Sequence, residues 1–304
     1  MNLRFIEAFV WVARLKSFKG AADKLHMTQA AISSRIAELE NQFGVRLFER
    51  DERGVVLTYS GSELLKYAEQ LLGVNARMMD AVADRASFRG TVSIGVIESV
   101  VHTWLPDLLR RFKQAYPHAC VEIHSDNTPK VQEELLKGQI DLAFTAGEVA
   151  EHTVENRHLC TFAVRWIAST SLGLGKGSLG REIFERYPIL TFLRDSIVCI
   201  DAVAKLQSYG AVRINPCSAI AAMVSLLKSD FGIATLQYAA IQHEIAAGEL
   251  VALDLEPELA LQPVVANLRI DADSPLAEPL VQFAREAVKS FAERYPESGV
   301  TPAA

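Results

Sequence analysis

The chain has 304 residues, half of them hydrophobic and 22% charged, with a net charge of −6 at pH 7. That is ordinary globular composition with room for two or three domains. No apolar run approaches the ~20 residues that span a bilayer, and the N-terminus opens on an amphipathic helix instead of an export signal, so a cytoplasmic protein is expected.

Leu3 to Leu15 reads as a first helix, with Leu3, Ile6, Phe9, Val10 and Ala13 on one side. Phe18 to Leu25 follows, capped by Ser17, with Ala21, Ala22 and Leu25 facing inward. Small alanines there let two helices cross at the steep angle of a helix-turn-helix. Thr28 is a good N-cap for the next helix, in which Ile32, Ile36 and Leu39 form a narrow apolar stripe. The opposite side shows Gln29, Ala30, Ser33, Ser34 and Ala37, free of the long charged chains usual on a surface helix. Such a bare face can lie close against another surface. A DNA major groove admits a helix, Gln pairs with adenine, and Ala or a Thr methyl packs on thymine. Thr28, Gln29, Ala30, Ser33, Ser34 and Arg35 are therefore candidate DNA contacts; the bland alternative is a plain helical hairpin. Gly44 is a helix stop, after which Val45–Arg50, a turn over Asp51–Gly54 and Val55–Leu57 read as a hairpin wing. Arg50 and Arg53 at its tip are placed to reach phosphate or the minor groove, unless they are only solvated charges.

The run AADKLHMTQAAISSRIAELENQFGVRLFER resembles the DNA-binding signature of the LysR-type transcriptional regulators almost position by position. Ala30 stands where that family commonly has Pro, and both suit a first turn. The family's layout covers about Leu3 to Tyr295. The resemblance implies an all-α head with a winged helix-turn-helix (1–58), a long linker helix that dimerises (59–89) and a two-lobed α/β effector domain (90–296) resembling periplasmic binding proteins.

Residues 1–58 hold nine Lys/Arg and seven Asp/Glu, a balance of +2, against 22 and 30, a balance of −8, in the rest. A head of +2 neutralises few phosphates, which argues for at least two heads acting together. Tyr59 to Phe88 contains no proline and is the longest helical stretch, with Thr58 as a cap and Ser60-Gly61-Ser62-Glu63 as a capping box. Its wide apolar band (Leu64, Leu65, Ala68, Leu71, Leu72, Met78, Met79, Val82) calls for a partner along about 45 Å, most simply the same helix of a second chain. Two such heads would read half-sites one or more DNA turns apart.

From Thr91 the pattern becomes β-α-β-α-β: strand Thr91–Val96, a helix stopped by Pro117, strand Cys120–His124, helix Lys130–Lys137 and strand Ile140–Thr145. Strands at Ala163–Ala168, Ile189–Phe192 and Gly232–Leu236 alternate with helices at Ser218–Lys228 and Tyr238–Ala247. Strand Pro263–Ile270 and helix Leu276–Tyr295 close the chain. Lobe 1 is expected over about 90–163 and 269–296, lobe 2 over about 164–268, with hinges near Ala163 and Leu268 and a disordered tail at 297–304.

In open α/β sheets a ligand sits beyond the carboxyl ends of the strands, at helix N-termini. Ser99, Thr103, Asn127, Thr128 and Thr145 hold such positions in the first half, and Arg194, Ser196 and Ser218, the last as a helix cap, in the second. Hydroxyls and free N–H groups converging there suit a small anion, typically a carboxylate, although each residue alone is as readily a plain cap. The resemblance implies inducer contacts at Ser99, Thr128 and Thr145. Asp230 and Gln237 replace residues common in the family near the cleft rim. Trp104 reads as core more readily than as a stacking platform.

Gly175-Lys176-Gly177-Ser178-Leu179-Gly180 is a literal G-x-G-x-x-G, but Ser169–Leu174 separates it from the strand and only about two helical turns follow, so it reads as a connection. The seven His residues show no metal-ligand spacing, no Gly-x-Ser-x-Gly elbow occurs, and neither an enzyme nor a cofactor is expected. Cys120, Cys160, Cys199 and Cys217 are widely spaced. Peroxide-sensing members of the family use a close Cys pair near the position of Cys199, which here sits in SIVCIDAV with nothing to stabilise a thiolate. The expected function is a ligand-responsive LysR-type regulator, with double-stranded DNA, a small carboxylate or aromatic acid, and its own copies (dimer, then homotetramer) as partners, and RNA polymerase if it activates. A redox regulator using Cys199 and Cys217, or a small-molecule binder without DNA binding, are the alternatives.

Overall fold

Single residues set the helix ends of the N-terminal unit. In this computed structural model, which describes all residues except 1, 52–53, 83–87, 152, 175–179, 181, 208–211, 271–273 and 304, α1 spans Leu3–Leu15, α2 Phe18–Lys24 and α3 Gln29–Phe43. The Asn2 side chain accepts the Arg4 N–H at 3.0 Å, Ser17 Oγ that of Gly20 at 3.0 Å and Thr28 Oγ1 that of Ala31 at 3.2 Å. Each bond satisfies one backbone donor that a helix start leaves without a partner. Gly44, at φ 68°, ends α3 in a left-handed conformation that an L side chain resists. Ile6, Phe9, Ala21, Ala22, Ile32, Ile36 and Leu39 form one buried core, as their spacing predicts.

The wing is a hairpin of β1 (Phe48–Asp51) and β2 (Gly54–Leu57), registered Phe48 to Leu57 and Asp51 to Gly54. It starts three residues later than the alternation from Val45 suggests, because Glu40 at the end of α3 holds the approach: its Oε1 accepts the Leu47 N–H at 2.8 Å. Helix α4 (Tyr59–Val82) follows. Thr58 caps it, accepting the Gly61 N–H at 3.0 Å while donating to the Arg46 carbonyl at 2.7 Å. The expected capping box does not form; Ser60 is already inside the helix and Glu63 pairs with Lys66 at 2.7 Å. The apolar band also divides. Ala68 is buried in the head core with Leu64, Leu65, Leu71 and Leu72 packed around it, so this half is satisfied within the chain. Tyr59, Tyr67, Val74 and Met78 are exposed.

The second unit comprises Phe88–Ala150 with Val154–Ala304. Its first lobe runs β3 (Gly90–Val96), α5 (Glu98–Val101), α6 (Leu105–Ala115), β4 (Ala119–Ser125), α7 (Thr128–Leu136), β5 (Leu142–Thr145) and β6 (Val154–Phe162). The second lobe runs β7 (Val164–Ser169), α8 (Ile183–Arg186), β8 (Ile189–Thr191), α9 (Ile197–Leu206), β9 (Ile214–Pro216), α10 (Ile220–Lys228), β10 (Ile233–Gln237), α11 (Gln242–Ala246) and β11 (Leu250–Ala252). The chain then returns through β12 (Gln262–Arg269), α12 (Ala277–Arg294) and β13 (Val300–Pro302). The first sheet is ordered β13-β6-β12-β5-β3-β4 and the second β11-β7-β10-β8-β9. Strands β3, β4 and β5 pair in parallel, as do β10, β8 and β9, while β12, β6 and β7 join antiparallel. No described helix is long and apolar enough to cross a membrane.

Three expectations are corrected here. Ala163 separates β6 from β7, and the return precedes Gln262 instead of falling near Leu268: the whole of β12 lies in the first sheet, and Leu268 pairs with Leu142 well inside it. Strand β6 and helix α9 were not anticipated. The tail is not disordered through 297–303; Ser298 and Val300 are buried and β13 pairs with β6, covering backbone groups that an open sheet edge would expose.

Gly61 tests how α4 is seated on the wing. A Cβ there would lie 2.2 Å from the Leu47 carbonyl oxygen and 2.9 Å from Leu57 Cδ2. Gly61→Ala is expected to destabilise the head by about 1–3 kcal/mol, read as a lower urea midpoint of the full chain at unchanged slope. An unshifted midpoint would mean that this contact is not made.

Candidate functional site

Two surfaces gather the residues singled out from the sequence. The first is the outer face of α3. Because its apolar stripe is only three residues wide, Ile32, Ile36 and Leu39 are buried while Thr28, Gln29, Ala30, Ser33, Ser34 and Ala37 stay exposed on the other side. Arg35 differs from them: it is half-buried and its Nη1 donates to the Arg4 carbonyl at 3.3 Å, tying α3 to the start of α1. The Arg50 side chain and Arg53 lie outside the described residues.

The second surface is a cleft of about 610 Å3 between the two lobes of the second unit. It opens where β3, β4 and β5 end in one lobe and where β8 and β10 end in the other, the position that open α/β sheets reserve for ligands. Ser99, Asn127, Thr128, Ser196 and Ser218 line it. Asn127 and Ser196 do so while capping α7 and α9: Asn127 Oδ1 accepts the Lys130 N–H and Ser196 Oγ the Cys199 N–H, both at 3.0 Å. Thr128 Oγ1 accepts the Ala146 N–H at 3.1 Å and so fixes the loop after β5.

Three expected residues do not line the cleft. Thr103 is buried behind Ser99, and its hydroxyl donates to the Ser99 carbonyl at 2.7 Å. Thr145 is fully buried and lies 2.7 Å from Asn267 Oδ1; it touches the lining through Gln132, whose Nε2 lies 3.3 Å from Thr145 Oγ1, and through the Gly147 carbonyl at 3.0 Å. Arg194 is exposed outside the lining. The cap expected of Ser218 is absent as well. Ala219 occupies the N-cap of α10 and offers no side-chain acceptor.

Glu98 supplies that acceptor from the opposite lobe. Its Oε2 accepts the Ile220 N–H at 2.7 Å, and its Oε1 stands 3.6 Å from His102 Nε2. A carboxylate at a helix N-terminus is favoured both as a hydrogen-bond acceptor and by the helix dipole. The same carboxylate raises the pKa of His102 above its ordinary value, against the opposing effect of burial. A second tie crosses at the floor: Gln237 Nε2, from β10, donates to Gln262 Oε1 of β12 at 2.5 Å, and Gln262 Nε2 donates to Ser99 Oγ at 3.3 Å. Glu98 and Gln262 escaped sequence reasoning because their partners lie 122 and 25 residues away. Gln237 had a signal as a departure from the family pattern. Asp230, flagged with it, lies past the end of α10, bonded to Ser171 and outside the lining.

The remaining candidates stay apart. Trp104 is fully buried, edge-on to Phe144 at 5.3 Å, hence core. Cys199 is buried and burial raises its pKa, with Arg194 opposing; Cys160 is buried too and pushed up to about 12. Residues 175–179 of the glycine-rich segment lie outside the described residues. Among the described residues no group of three or more His, Cys, Asp or Glu is placed to hold a metal ion.

Comparison with known proteins agrees with this division. Curated relatives include a probable RuBisCO transcriptional regulator of Cyanophora paradoxa, 33% identical over 163 residues, which are 53% of this chain and 49% of the relative. The chain thus spans about half the length of that relative and of its two cyanobacterial counterparts. A probable hydrogen peroxide-inducible genes activator of Streptomyces viridosporus is 28% identical with 80% of each chain covered. The solved structure of CrgA, a LysR-type transcriptional regulator from Neisseria meningitidis, shares 26% identity at a TM-score of 0.56, covering 94% of this chain and 99% of the other. The family description "Bacterial regulatory helix-turn-helix protein, lysR family" matches residues 3–62 and "LysR substrate binding domain" matches residues 85–289. With both the helical head and the two-lobed unit matched in order, the chain belongs to the LysR family.

Proposed function

We propose that this protein is a cytoplasmic, DNA-binding transcriptional regulator with no catalytic role, switched by a small molecule held between the lobes of its second unit. The observation that carries the DNA reading is the exposed, uncharged face of α3, where Gln29, Ala30, Ser33 and Ser34 stand free of the core. Arg50 and Arg53 join them as proposed backbone contacts, and Arg35 acts by holding the angle between α3 and α1. The exposed Tyr67, Val74 and Met78 of α4 support pairing with a second copy, which brings two weakly basic heads to one site. Assembly to a homotetramer and, for an activator, contact with RNA polymerase complete the proposed partners. The working units are the head 1–58, the linker helix 59–89 and the two-lobed region from residue 90.

The switch is a population shift. The Glu98–Ile220 and Gln237–Gln262 bonds join the lobes directly, so a ligand that adds contacts to both lobes in only one arrangement moves the equilibrium toward it. Ser99, Asn127, Thr128, Ser196 and Ser218 are proposed to touch that ligand. Thr103 and Thr145 support the site from behind. The lining favours a small molecule with an apolar body, through Ile97, Phe192, Ile197 and Val198.

A redox switch using Cys199 and Cys217 is the competing reading, in keeping with the name of the Streptomyces relative. The burial of Cys199, which raises its pKa and disfavours the reactive thiolate, weighs against it. In native protein at pH 7, iodoacetamide is expected to label exposed Cys120 first and Cys199 only after unfolding. Equal labelling rates, by mass spectrometry, would restore the redox reading.

The DNA reading is tested at Gln29. On a site selected from random DNA, Gln29→Ala is expected to lose about 1–3 kcal/mol of binding while non-specific DNA is bound as before. Fluorescence anisotropy with both duplexes separates the cases, and an equal loss on the two would show that Gln29 does not read bases.

A further inference from the structure

The cleft has a charge and an orphaned acceptor that together define the class of its ligand; this step rests on the cleft being the effector site. Four carboxylates line it, Glu98, Asp126, Glu148 and Asp195, and no Lys, Arg or His lines it among the described residues. Of the cations near the lining, Lys130 pairs with Glu133 at 3.3 Å, His102 sits behind Glu98 on its other oxygen, and Arg194 stands exposed outside the lining beside Asp195 in the chain. Glu148 and Asp195 stand exposed at the rim with no side-chain hydrogen bond or ion pair among the described residues.

At each helix start that faces the cleft, one backbone donor is already met within the protein. Asn127 caps α7 and Ser196 caps α9, while the N–H of Ile220 at the start of α10 is held by a carboxylate belonging to the protein itself. A second carboxylate brought to α10 would meet Glu98 at close range, a like-charge contact that opposes binding.

A separate observation comes from the floor. Gln237 lines the cleft and is only 2% exposed. Its Nε2 is spent on Gln262, whose own Nε2 is spent on Ser99, and this direction of donation leaves Gln237 Oε1 buried with no donor. Buried acceptors in folded proteins rarely stay unpaired, and one at the floor of a cleft is met by a water or by a ligand N–H. We infer that the cleft takes a small amphipathic molecule bearing a protonated amine, its N–H groups shared between Gln237 Oε1 and Glu98 while the rim carboxylates Glu148 and Asp195 favour its charge, its apolar body against Ile97, Phe192, Ile197 and Val198. A volume of about 610 Å3 holds a molecule of that kind. By accepting from the amine, Gln237 of one lobe and Glu98 of the other are drawn to the same group, which links ligand charge to lobe closure.

The test uses the full-length protein and three probes of matched size: 3-phenylpropylamine, 3-phenylpropanol and 3-phenylpropionate. Isothermal titration is expected to rank them amine, then alcohol, then carboxylate. Glu148→Gln combined with Asp195→Asn, both at exposed positions, is expected to narrow the amine-to-alcohol gap, and Glu98→Gln, which still offers Ile220 an acceptor, to weaken the amine about tenfold. Carboxylate binding equal to or tighter than the amine, no amine binding at millimolar concentration, or a preference untouched by all three substitutions would each overturn the assignment. DNA anisotropy in parallel keeps the two readings apart. A carboxylate that binds and alters DNA affinity sinks the charge assignment and leaves the regulator standing, whereas an amine that binds without altering DNA affinity does the reverse.

Discussion

A single hydrogen bond shows what governs the two-lobed unit: Glu98 Oε2 of one lobe accepts the Ile220 N–H that begins α10 of the other, at 2.7 Å. Every helix start carries backbone donors with no partner in the helix, and one aimed into a cleft must be met by a side chain, water or ligand. In this protein the partner comes across the gap. The lobes therefore share an obligation that neither can meet alone, since Ala219 at the cap has no acceptor of its own. Gln237 and Gln262 repeat the arrangement at the floor. The cleft is thus a place where buried polar groups of two lobes satisfy one another in part, and that partial satisfaction gives a ligand something to complete.

The same rule organises the head to the opposite end. Its helix starts are capped locally, by Asn2, Ser17 and Thr28, and so need nothing from outside. Because α3 spends only Ile32, Ile36 and Leu39 on the core, the remaining face is left to solvent. Glu40 and Thr58 then fix the wing and α4 against that helix through backbone contacts at Leu47, Arg46 and Gly61. A locally satisfied, closely braced head can present one helix face to another molecule without rearranging, which is what reading base edges requires.

The legibility of the chain followed the range of its interactions. Helix α1 was readable to the residue, and Thr28 and Gly44 marked the ends of α3, because caps and 3.6-residue periodicity act within a turn or two. Strands β3, β4 and β5 were readable from alternation between helices. Strand β6 was not, since it is half-buried between β12 and β13 and its residues show no two-residue period. The tail misled for the same reason: Val300 is an edge-strand residue only because β6 offers it an edge.

Within the candidate sites the division is the same. The exposed face of α3 was a property of one helix and survived intact. In the cleft, Ser99, Asn127, Thr128 and Ser196, chosen for their place after a strand, are among the lining, as is Ser218, chosen as a helix cap that it does not form, whereas Thr103 and Thr145 turn their hydroxyls into the protein. Sequence alone determined the ends of α1 and α3 and the bare face of α3, all consequences of contacts between near neighbours along the chain. Only the tertiary structure decided that Thr145 turns to Asn267, that Glu98 caps α10 and that Gln237 keeps an unpaired oxygen, because each depends on residues far apart in the chain being brought within a hydrogen bond of one another.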